Sequence, residues 1–148
     1  MSNCIFCSIV SGTQEASIIY EDEFIMGFMD IEPINEGHVL LITKTHKLDL
    51  DELTIEEMNR LMIVSQIVVK ILKENYKPNG YSIMQNGGEF NDIGHYHLHI
   101  FPRYQNDGFN WTFSETREHN IYSIGKFIEL KVKEKIKKSI YNDVLNEI

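Results

Sequence analysis

Three histidines alternate with apolar residues near position 97, and this alternation constrains the fold more than any other feature of the chain. His95, His97 and His99 are three of the six histidines in the sequence. Successive side chains of a β-strand point to opposite faces, so the three imidazoles share one face and the residues between them take the other. The pattern predicts a row of histidines on one face of a sheet.

Such a row suits catalysis or metal binding. Neighbours on one face of a strand are roughly 6–7 Å apart along it, so two rings can bind one metal or flank one reacting group. A neutral imidazole is a nucleophile, a base or a ligand, and its protonated form is an acid. The alternative is a half-buried strand whose polar face is histidine by chance. The glycine-containing loop at 86–94 favours a functional row.

Length and charge narrow the class of protein. The chain has 148 residues, of which 43% are hydrophobic, and we expect one domain over 1–148 with a proper core. The net charge of −8 argues against a broad electrostatic grip on nucleic acid, which needs many cations. A small phosphate-bearing ligand stays compatible with this charge, because a local site can oppose the global sign.

The chain shows no sign of membrane insertion or secretion. No apolar run approaches the roughly 20 residues of a membrane span, and the N-terminal residues begin no basic and then apolar signal segment. We therefore expect a cytoplasmic protein with no membrane partner.

The two cysteines, Cys4 and Cys7, form a C-x-x-C pair. In a reducing cytosol such a pair more often binds metal or does redox work than forms a structural disulfide. A closed structural zinc site needs four ligands, and histidine is the natural supplement, with His46 and His95 as candidates. Surface cysteines without a ligand role are the alternative.

The remaining patterns predict a mixed fold. Apolar and β-rich runs predict strands over 17–20, 24–29, 37–43 and 81–85, in addition to the histidine strand, with a turn at 33–37. The third run is apolar throughout, which predicts burial on both faces. Helices are predicted over 4–10, 54–76 and about 123–145. The long helix opens with a capping box at 54–57 and carries an apolar stripe of Ile55, Met58, Leu61, Met62, Ile67, Val68, Ile71 and Leu72.

The C-terminal part carries a weaker pattern. Phe109, Trp111 and Phe113 alternate as a short strand or an aromatic arm. The final predicted helix places Phe127, Ile128, Val132, Ile136 and Ile140 on one side. The lysine-rich stretch 131–138 is interpreted as a solvated face, with an anion-binding or partner-binding face as the alternative.

Five short motifs follow one another in the first 104 residues. They are Cys-Ile-Phe-Cys at 4–7, Phe-Met-Asp-Ile at 28–31, Gly-His-Val-Leu-Leu-Ile at 37–42, Lys-Thr-His at 44–46 and His-Tyr-His-Leu-His-Ile-Phe-Pro-Arg-Tyr at 95–104. In this order and spacing the chain resembles the histidine triad (HIT) family of nucleotide-binding hydrolases and transferases. The segment 105–148 is a C-terminal extension that the resemblance covers less clearly.

The resemblance implies an α+β fold in which a five-stranded antiparallel sheet packs against a long central helix, with a C-terminal helix and a homodimer that extends the sheet. It also implies attack on the α-phosphate of a purine nucleoside phosphoramidate, an adenylate or a dinucleoside polyphosphate. His97 matches the nucleophile, which forms a nucleotidyl-histidine intermediate that water resolves. His99 matches the histidine that contacts phosphate and helps to handle the leaving-group proton.

The nucleotide-binding residues are implied position by position. Asp30 matches the carboxylate that accepts both ribose hydroxyls. Asn86 matches the asparagine that opens the glycine loop, in which Gly87 and Gly88 let the backbone approach a ligand. The apolar wall around the base is matched by Phe6, Ile9, Phe28 and Ile31, each of which would otherwise be interpreted as core.

The set Cys4, Cys7, His46 and His95 matches the zinc-containing bacterial-type subgroup. In that subgroup the first histidine of the row is a metal ligand, and the zinc is structural.

The chain departs from the family pattern just before the row. Phe90-Asn91-Asp92-Ile93 stands where the family usually has Gly-Gln-Ser/Thr-Val, and the loop is one residue shorter than in many relatives. At position 92 a serine hydroxyl would donate to phosphate, whereas an ionised aspartate repels it unless it is protonated or turned away. Asn91 is a shorter stand-in for glutamine at the phosphate. Thr43 stands where a proline is common in the family, and we expect this replacement to affect only the turn.

Three functions compete at this point. The first is a nucleotidyl hydrolase acting through His97. The second is a nucleotide-binding module with little catalysis, which Asp92 makes plausible. The third is a metalloenzyme in which two or three histidines of the row hold a catalytic zinc. An apolar base wall reads shape more than exocyclic groups, so the sequence does not choose between adenine and guanine.

Overall fold

The computed structural model describes residues 4–113 and 120–138. The chain divides into two compact units, one ending at Phe109 and one beginning at Asn110. The first unit holds the sheet and all the motifs above, and the second holds the C-terminal helix. That the whole chain forms a single domain stays a prediction.

The first unit is built on a five-stranded sheet, as predicted. Its strand order is β1-β2-β3-β5-β4, and every neighbouring pair is antiparallel. The strands are β1 Ile18–Glu21, β2 Ile25–Met29, β3 Val39–Thr43, β4 Gly80–Met84 and β5 His97–Arg103. Three helices accompany them in the described residues: α1 Ile5–Val10, α2 Ile55–Tyr76 and α3 Ile121–Lys138. Short 3₁₀ turns lie at Leu50–Glu52 and Gly88–Phe90.

The central strand β3 explains why the sheet has two buried faces. All five of its residues are buried, as its continuous apolar sequence predicted. Val39 and Leu41 point to the face that α2 covers, where Leu98 of β5 also packs. Leu40 and Ile42 point to the opposite face. That face is covered by residues of the N-terminal segment, Cys4, Phe6 and Ile9.

Helix α2 begins at the predicted capping box. The Thr54 hydroxyl accepts from the Glu57 amide at 3.2 Å, and the Glu57 carboxylate accepts from the Thr54 amide at 2.8 Å. Glu57 is buried and also accepts from the Thr45 hydroxyl, which ties the start of the helix to the end of β3. The helix stops at Lys77, whose φ of 45° is left-handed, immediately before Pro78.

The predicted apolar stripe of α2 was partly wrong. Leu61, Val68 and Leu72 are buried against the sheet. Met62, Ile67 and Ile71 belong instead to an exposed apolar face. The residues missed in the buried stripe are Val64, Ser65 and Val69. The error arose because α2 is apolar around much of its circumference, so spacing alone did not show which stripe faces the sheet.

The C-terminal region differs from its prediction in detail. Phe109 packs edge-on against Phe101 at 5.3 Å between ring centres, and Trp111 and Phe113 are exposed and lie in no strand. Helix α3 begins two residues earlier than predicted because Asn120 caps it, its side chain accepting from the Ser123 amide at 3.1 Å.

The lysines of α3 are exposed and partly paired with glutamates one turn away, such as Lys138 with Glu134. Ile140 and the rest of the predicted helix up to 145 lie outside the described residues. None of the described helices has the length and apolar character that crossing a membrane requires.

Candidate active site and metal centre

Two histidines of the row, His97 and His99, lie on one face of the sheet, as the alternation predicted, while His95 precedes β5. His97 and His99 stand opposite Ile42 and Leu40 of β3, on the face covered by α1. The ring of Phe6 from α1 meets the His97 ring edge-on, with 5.4 Å between ring centres. His97 is 2% exposed, so its ring is held by packing on nearly every side.

A backbone carbonyl fixes the tautomer of His97. Its Nδ1 atom lies 2.8 Å from the carbonyl oxygen of His95. A carbonyl oxygen can only accept, so Nδ1 carries the hydrogen and the neutral ring keeps its lone pair on Nε2. The nitrogen that is free to attack is therefore Nε2.

His99 belongs to a chain of hydrogen bonds that starts at the backbone. The Ile34 amide donates to Nδ1 of His38 at 3.1 Å, so the hydrogen of the neutral His38 ring is on Nε2. That nitrogen lies 2.9 Å from Nδ1 of His99 and donates to it. The hydrogen of the neutral His99 ring is then on Nε2, which makes His99 a hydrogen-bond donor at that atom.

Burial keeps these rings neutral. It lowers the pKa of His99 to about 4, with the charges of His97 and His38 acting in the same direction and those of Asp30 and Asp92 opposing. Burial also lowers the pKa of His38, against the opposing charge of Asp30. His99 is therefore uncharged at neutral pH, in agreement with the hydrogen-bond directions.

Asp30 stands beside this chain. One of its oxygens accepts from the Glu32 amide at 2.9 Å, and the other lies 3.5 Å from Nε2 of His38 and 3.9 Å from Nδ1 of His99. These three side chains are also close enough together to hold a metal ion. The direct hydrogen bond between the two rings accounts for their spacing without one.

A cavity of about 490 Å³ opens over the row, which is within the usual range for small-molecule sites. Eight of the ten predicted nucleotide-binding residues line it: Phe6, Ile9, Phe28, Asp30, Ile31, Asp92, His97 and His99. The cavity also has lining residues that the motifs did not indicate, among them Ile5, Glu15, Glu32, Ile34 and His38. His38 lies inside a motif, yet only its contact with His99 reveals its position in the site.

Two predicted residues are not brought to the cavity, Asn86 and Asn91. The Asn91 side chain donates to the Leu48 carbonyl at 2.9 Å and accepts from the Gly94 amide at 3.0 Å, so it fastens its loop. Asn86 is exposed and is not among the lining residues. The resemblance implied contacts with phosphate or ribose for Asn86 and with phosphate for Asn91, but a motif match does not show which way a loop side chain turns.

The glycines of the loop have a different role from the predicted one. A Cβ atom on Gly87 would lie 2.6 Å from the carboxylate of Asp49, and the Gly88 amide donates to the same carboxylate at 3.0 Å. Gly88 also has a left-handed φ of 58°. Neither glycine lines the cavity. Gly87 makes room for the Asp49 carboxylate, and Gly88 donates a hydrogen bond to it.

Asp92, the departure from the family pattern, is placed beside His97. Its carboxylate lies 3.9 Å from Nε2 of His97 and is 80% exposed. It lines the cavity together with Ile93, whose side chain packs against the core of that face. The side chain is therefore not turned away from the site.

The four predicted metal ligands form one cluster. Sγ of Cys4 is 3.4 Å from Nδ1 of His95, and Sγ of Cys7 is 3.2 Å from Nδ1 of His46 and 3.6 Å from that of His95. Tetrahedral zinc with bonds of about 2.0–2.3 Å separates its ligand atoms by about 3.3–3.8 Å, so the set fits zinc.

The orientation of His95 agrees with a metal ligand. Its Nε2 atom lies 2.8 Å from the Thr43 carbonyl oxygen and must carry the hydrogen, which leaves the lone pair of Nδ1 facing the two sulfurs. Burial lowers the pKa of His95, so this ring too is neutral.

Comparison with known proteins places this site in a family. Residues 11–106 match the family model of the HIT domain. The chain belongs to the histidine triad (HIT) family. A HIT family protein of Bacillus anthracis has a solved structure with a TM-score of 0.79 and 34% identity, covering 90% of this chain and 97% of that one.

Two further relatives bear on function and metal. The adenosine 5′-monophosphoramidase of Candida albicans is 32% identical over 146 residues, which is 93% of each chain. A Zn-bound histidine triad family protein of Mycobacterium smegmatis has a solved structure with a TM-score of 0.67 and 37% identity, covering 78% of this chain and 86% of that one. The comparisons support a nucleotide-binding hydrolase of the HIT family.

Proposed function

We propose that this protein cleaves a purine nucleoside phosphoramidate, an adenylate or a dinucleoside polyphosphate at the α-phosphate, with His97 as nucleophile. The observation that carries the proposal is the hydrogen bond from Nδ1 of His97 to the His95 carbonyl, because it leaves Nε2 unprotonated at the cavity. The name of the Candida albicans relative, an adenosine 5′-monophosphoramidase, supports the same chemistry.

The reaction runs in two displacements. In the first, Nε2 of His97 forms a bond to phosphorus, and the leaving group departs with the bonding electron pair and takes up a proton from solvent. The ring becomes a cationic nucleotidyl-histidine, and the His95 carbonyl accepts its Nδ1–H. In the second, water forms the new P–O bond, the P–Nε2 electron pair returns to the ring, and the water proton goes to solvent. Two inversions give net retention at phosphorus.

His99 assists both displacements as a neutral donor. Its Nε2–H donates a hydrogen bond to a phosphoryl oxygen or to the leaving atom, where negative charge develops. The His38 ring holds it in that tautomer. Asp30 binds the ribose hydroxyls, and Phe6, Ile9, Phe28 and Ile31 form the wall against the base.

The test is the His97→Ala variant with adenosine 5′-phosphoramidate as substrate. We expect turnover to be lost and the affinity for adenosine monophosphate to be retained within a few-fold, because the ring attacks but adds little to ground-state binding. Unchanged turnover would reject His97 as the nucleophile.

A nucleotide-binding module with little catalysis is the second candidate, and Asp92 favours it. A carboxylate 3.9 Å from the attacking nitrogen repels a phosphate that must come close to that nitrogen. Tight binding of adenosine monophosphate, together with no hydrolysis of any of the three substrate classes, would support it. A catalytic zinc has less support, since His95 and His97 turn their free nitrogens to different partners.

We further propose that Cys4, Cys7, His46 and His95 bind a structural zinc ion. Bound there, zinc would join the N-terminal segment, the loop after β3 and the segment that leads into β5, and so would stabilise the fold. The Zn-bound relative from Mycobacterium smegmatis supports this assignment.

We propose that two copies pair through β4. In the described residues β4 is an edge strand that pairs with β5 on one side. Its Tyr81 is exposed and lies under Lys73 of α2, so the edge adjoins the exposed apolar face of that helix. An uncovered edge next to apolar side chains favours pairing with another strand. The exposed apolar side chains are Met62, Ile63, Ile67 and Ile71 on α2 and Tyr81 and Ile83 on β4.

A further inference from the structure

The position of Asp92 is fixed by the residues on both sides of it. Asn91 is hydrogen-bonded by its side chain to Leu48 and Gly94, and Ile93 packs against the core. The backbone at Asp92 is therefore tied down, although the carboxylate itself is exposed at the cavity. Its 3.9 Å distance from Nε2 of His97 places a negative charge beside the reacting centre.

The other charged residues around the cavity have the same sign. Glu15, Asp30, Glu32 and Asp92 line it. None of the lining residues, all of which belong to the described part of the chain, is a lysine or an arginine. The whole chain carries a net charge of −8. A ligand in this cavity meets a negative potential that protein cations on its lining do not offset.

The α-phosphate is common to all substrate classes, so the leaving group is where the charge can discriminate. In a reactive complex phosphorus lies about 3–3.5 Å from the attacking nitrogen, and the leaving atom is attached to that phosphorus. Because the attack is in line, the leaving group departs on the side of phosphorus opposite Nε2, so a charge near its leaving atom lies within about one Debye length, roughly 8–10 Å, of the Asp92 carboxylate. At such distances an exposed charge changes binding by about three- to tenfold, with a sign that depends on the partner.

We propose that Asp92 determines specificity by leaving-group charge: the site prefers nucleoside phosphoramidates whose leaving amine carries a further positive charge and rejects anionic leaving groups such as nucleoside polyphosphates. This inference rests on the proposed function. It disfavours one of the three substrate classes, the dinucleoside polyphosphates, and gives a role to the residue that departs from the family pattern.

The experiment uses three adenosine 5′-phosphoramidates with the same P–N linkage, made from ethylenediamine, propylamine and β-alanine. They end in a cationic, a neutral and an anionic group. For each we measure kcat/KM and the dissociation constant on the wild-type protein, on Asp92→Asn and on Glu89→Gln. Glu89 is the matched control, since it is an exposed carboxylate of the same loop that does not line the cavity.

We expect the wild-type protein to prefer the cationic over the anionic compound, and Asp92→Asn to reduce that ratio about three- to tenfold. Raising the salt from about 0.02 M to 0.5 M should reduce the wild-type ratio too. Glu89→Gln should leave it unchanged. A ratio that is the same in wild type and Asp92→Asn, or that falls equally in Glu89→Gln, would overturn the proposal.

The two proposals fail in different ways. If no compound is hydrolysed, the proposed function fails, and the ratio of dissociation constants still decides whether Asp92 selects by charge. If all three are hydrolysed with a ratio that Asp92→Asn does not change, the hydrolase stands and the charge selection is rejected.

Discussion

The carbonyl oxygen of His95 lies 2.8 Å from Nδ1 of His97, and the imidazole of His95 faces the sulfur of Cys4 at 3.4 Å. One residue thus connects the candidate metal centre with the candidate nucleophile: its side chain faces the sulfurs and its backbone sets the tautomer of His97. The candidate metal centre and the candidate nucleophile are therefore joined through His95.

The metal assignment predicts which variants lose zinc. Cys4→Ala and His95→Ala should lose bound zinc. Their free energy of unfolding should fall by several kcal/mol, because metal binding is coupled to folding. His97→Ala should keep its zinc, since this ring is not in the cluster. Elemental mass spectrometry measures the zinc content, and thermal unfolding measures the loss of stability. Zinc lost from His97→Ala but kept in Cys4→Ala would favour a catalytic metal at the row.

The sequence predicted the relative positions of the histidines and of the two cysteines, because these depend on the backbone geometry of a single strand or helical turn. Alternation placed the histidines on one face, and the C-x-x-C spacing put two sulfurs on one turn of α1. The capping box marked the first residue of α2 for the same reason. In each case the interacting atoms are a few residues apart, so backbone geometry alone brings them together.

Several long-range contacts were not predicted, although the resemblance did group Cys4 and Cys7 with His46 and His95. Asn91 was assigned to phosphate, but Leu48, 43 positions earlier, holds its amide. The space beside Gly87 belongs to Asp49 and not to a ligand. The buried stripe of α2 and the position of His38 against His99 likewise depend on which elements the fold brings together. The periodicity of the sequence does not show which elements pack against each other.

His38 is predicted to act by positioning His99. The His38→Gln variant replaces the imidazole N–H that donates to Nδ1 of His99 by an amide, which holds the His99 ring less firmly. We expect kcat to fall about tenfold or more, with little change in the affinity for adenosine monophosphate. The pKa of His99 should rise from about 4, because the variant removes the charge that His38 carries when it is protonated, which lowers this pKa. NMR titration of the His99 ring measures that shift. A lower kcat with an unchanged His99 pKa would point to a purely structural role.

The contact between Gly87 and Asp49 predicts a stability effect. Gly87→Ala should destabilise the fold by about 1–2 kcal/mol, since its Cβ atom would meet the Asp49 carboxylate at 2.6 Å. Gly80→Ala is the matched control, because a Cβ atom there meets nothing within 4 Å. Urea unfolding of both variants gives the comparison. Equal effects at the two positions would show that the close approach does not matter.

The low pKa of His99 predicts how stability depends on pH. Between pH 6.5 and about 4 the unfolded chain binds a proton at this ring and the folded chain does not, so stability falls as the pH falls through that window. Above pH 6.5 the ring is neutral in both the folded and the unfolded chain, so His99 no longer makes stability depend on pH. The loss attributable to His99 should reach at most about 3 kcal/mol.

His99→Gln provides the reference for this measurement, because it removes the titrating group and keeps the other buried histidines. We expect the free energy of unfolding of the wild type to fall more steeply with decreasing pH than that of the variant. Parallel curves from pH 7 to pH 4 would contradict the assignment of a depressed pKa to His99.

In the proposed mechanism Nε2 of His97 becomes covalently bonded to phosphorus. The most direct test is rapid quenching of the wild-type protein with adenosine 5′-phosphoramidate, followed by digestion and mass spectrometry of the peptide that contains His97. We expect a peptide adenylated at His97 that forms and decays during turnover. The digest of His97→Ala should not contain it. Turnover with no adenylated peptide, or with the adenylate on another residue, would contradict it.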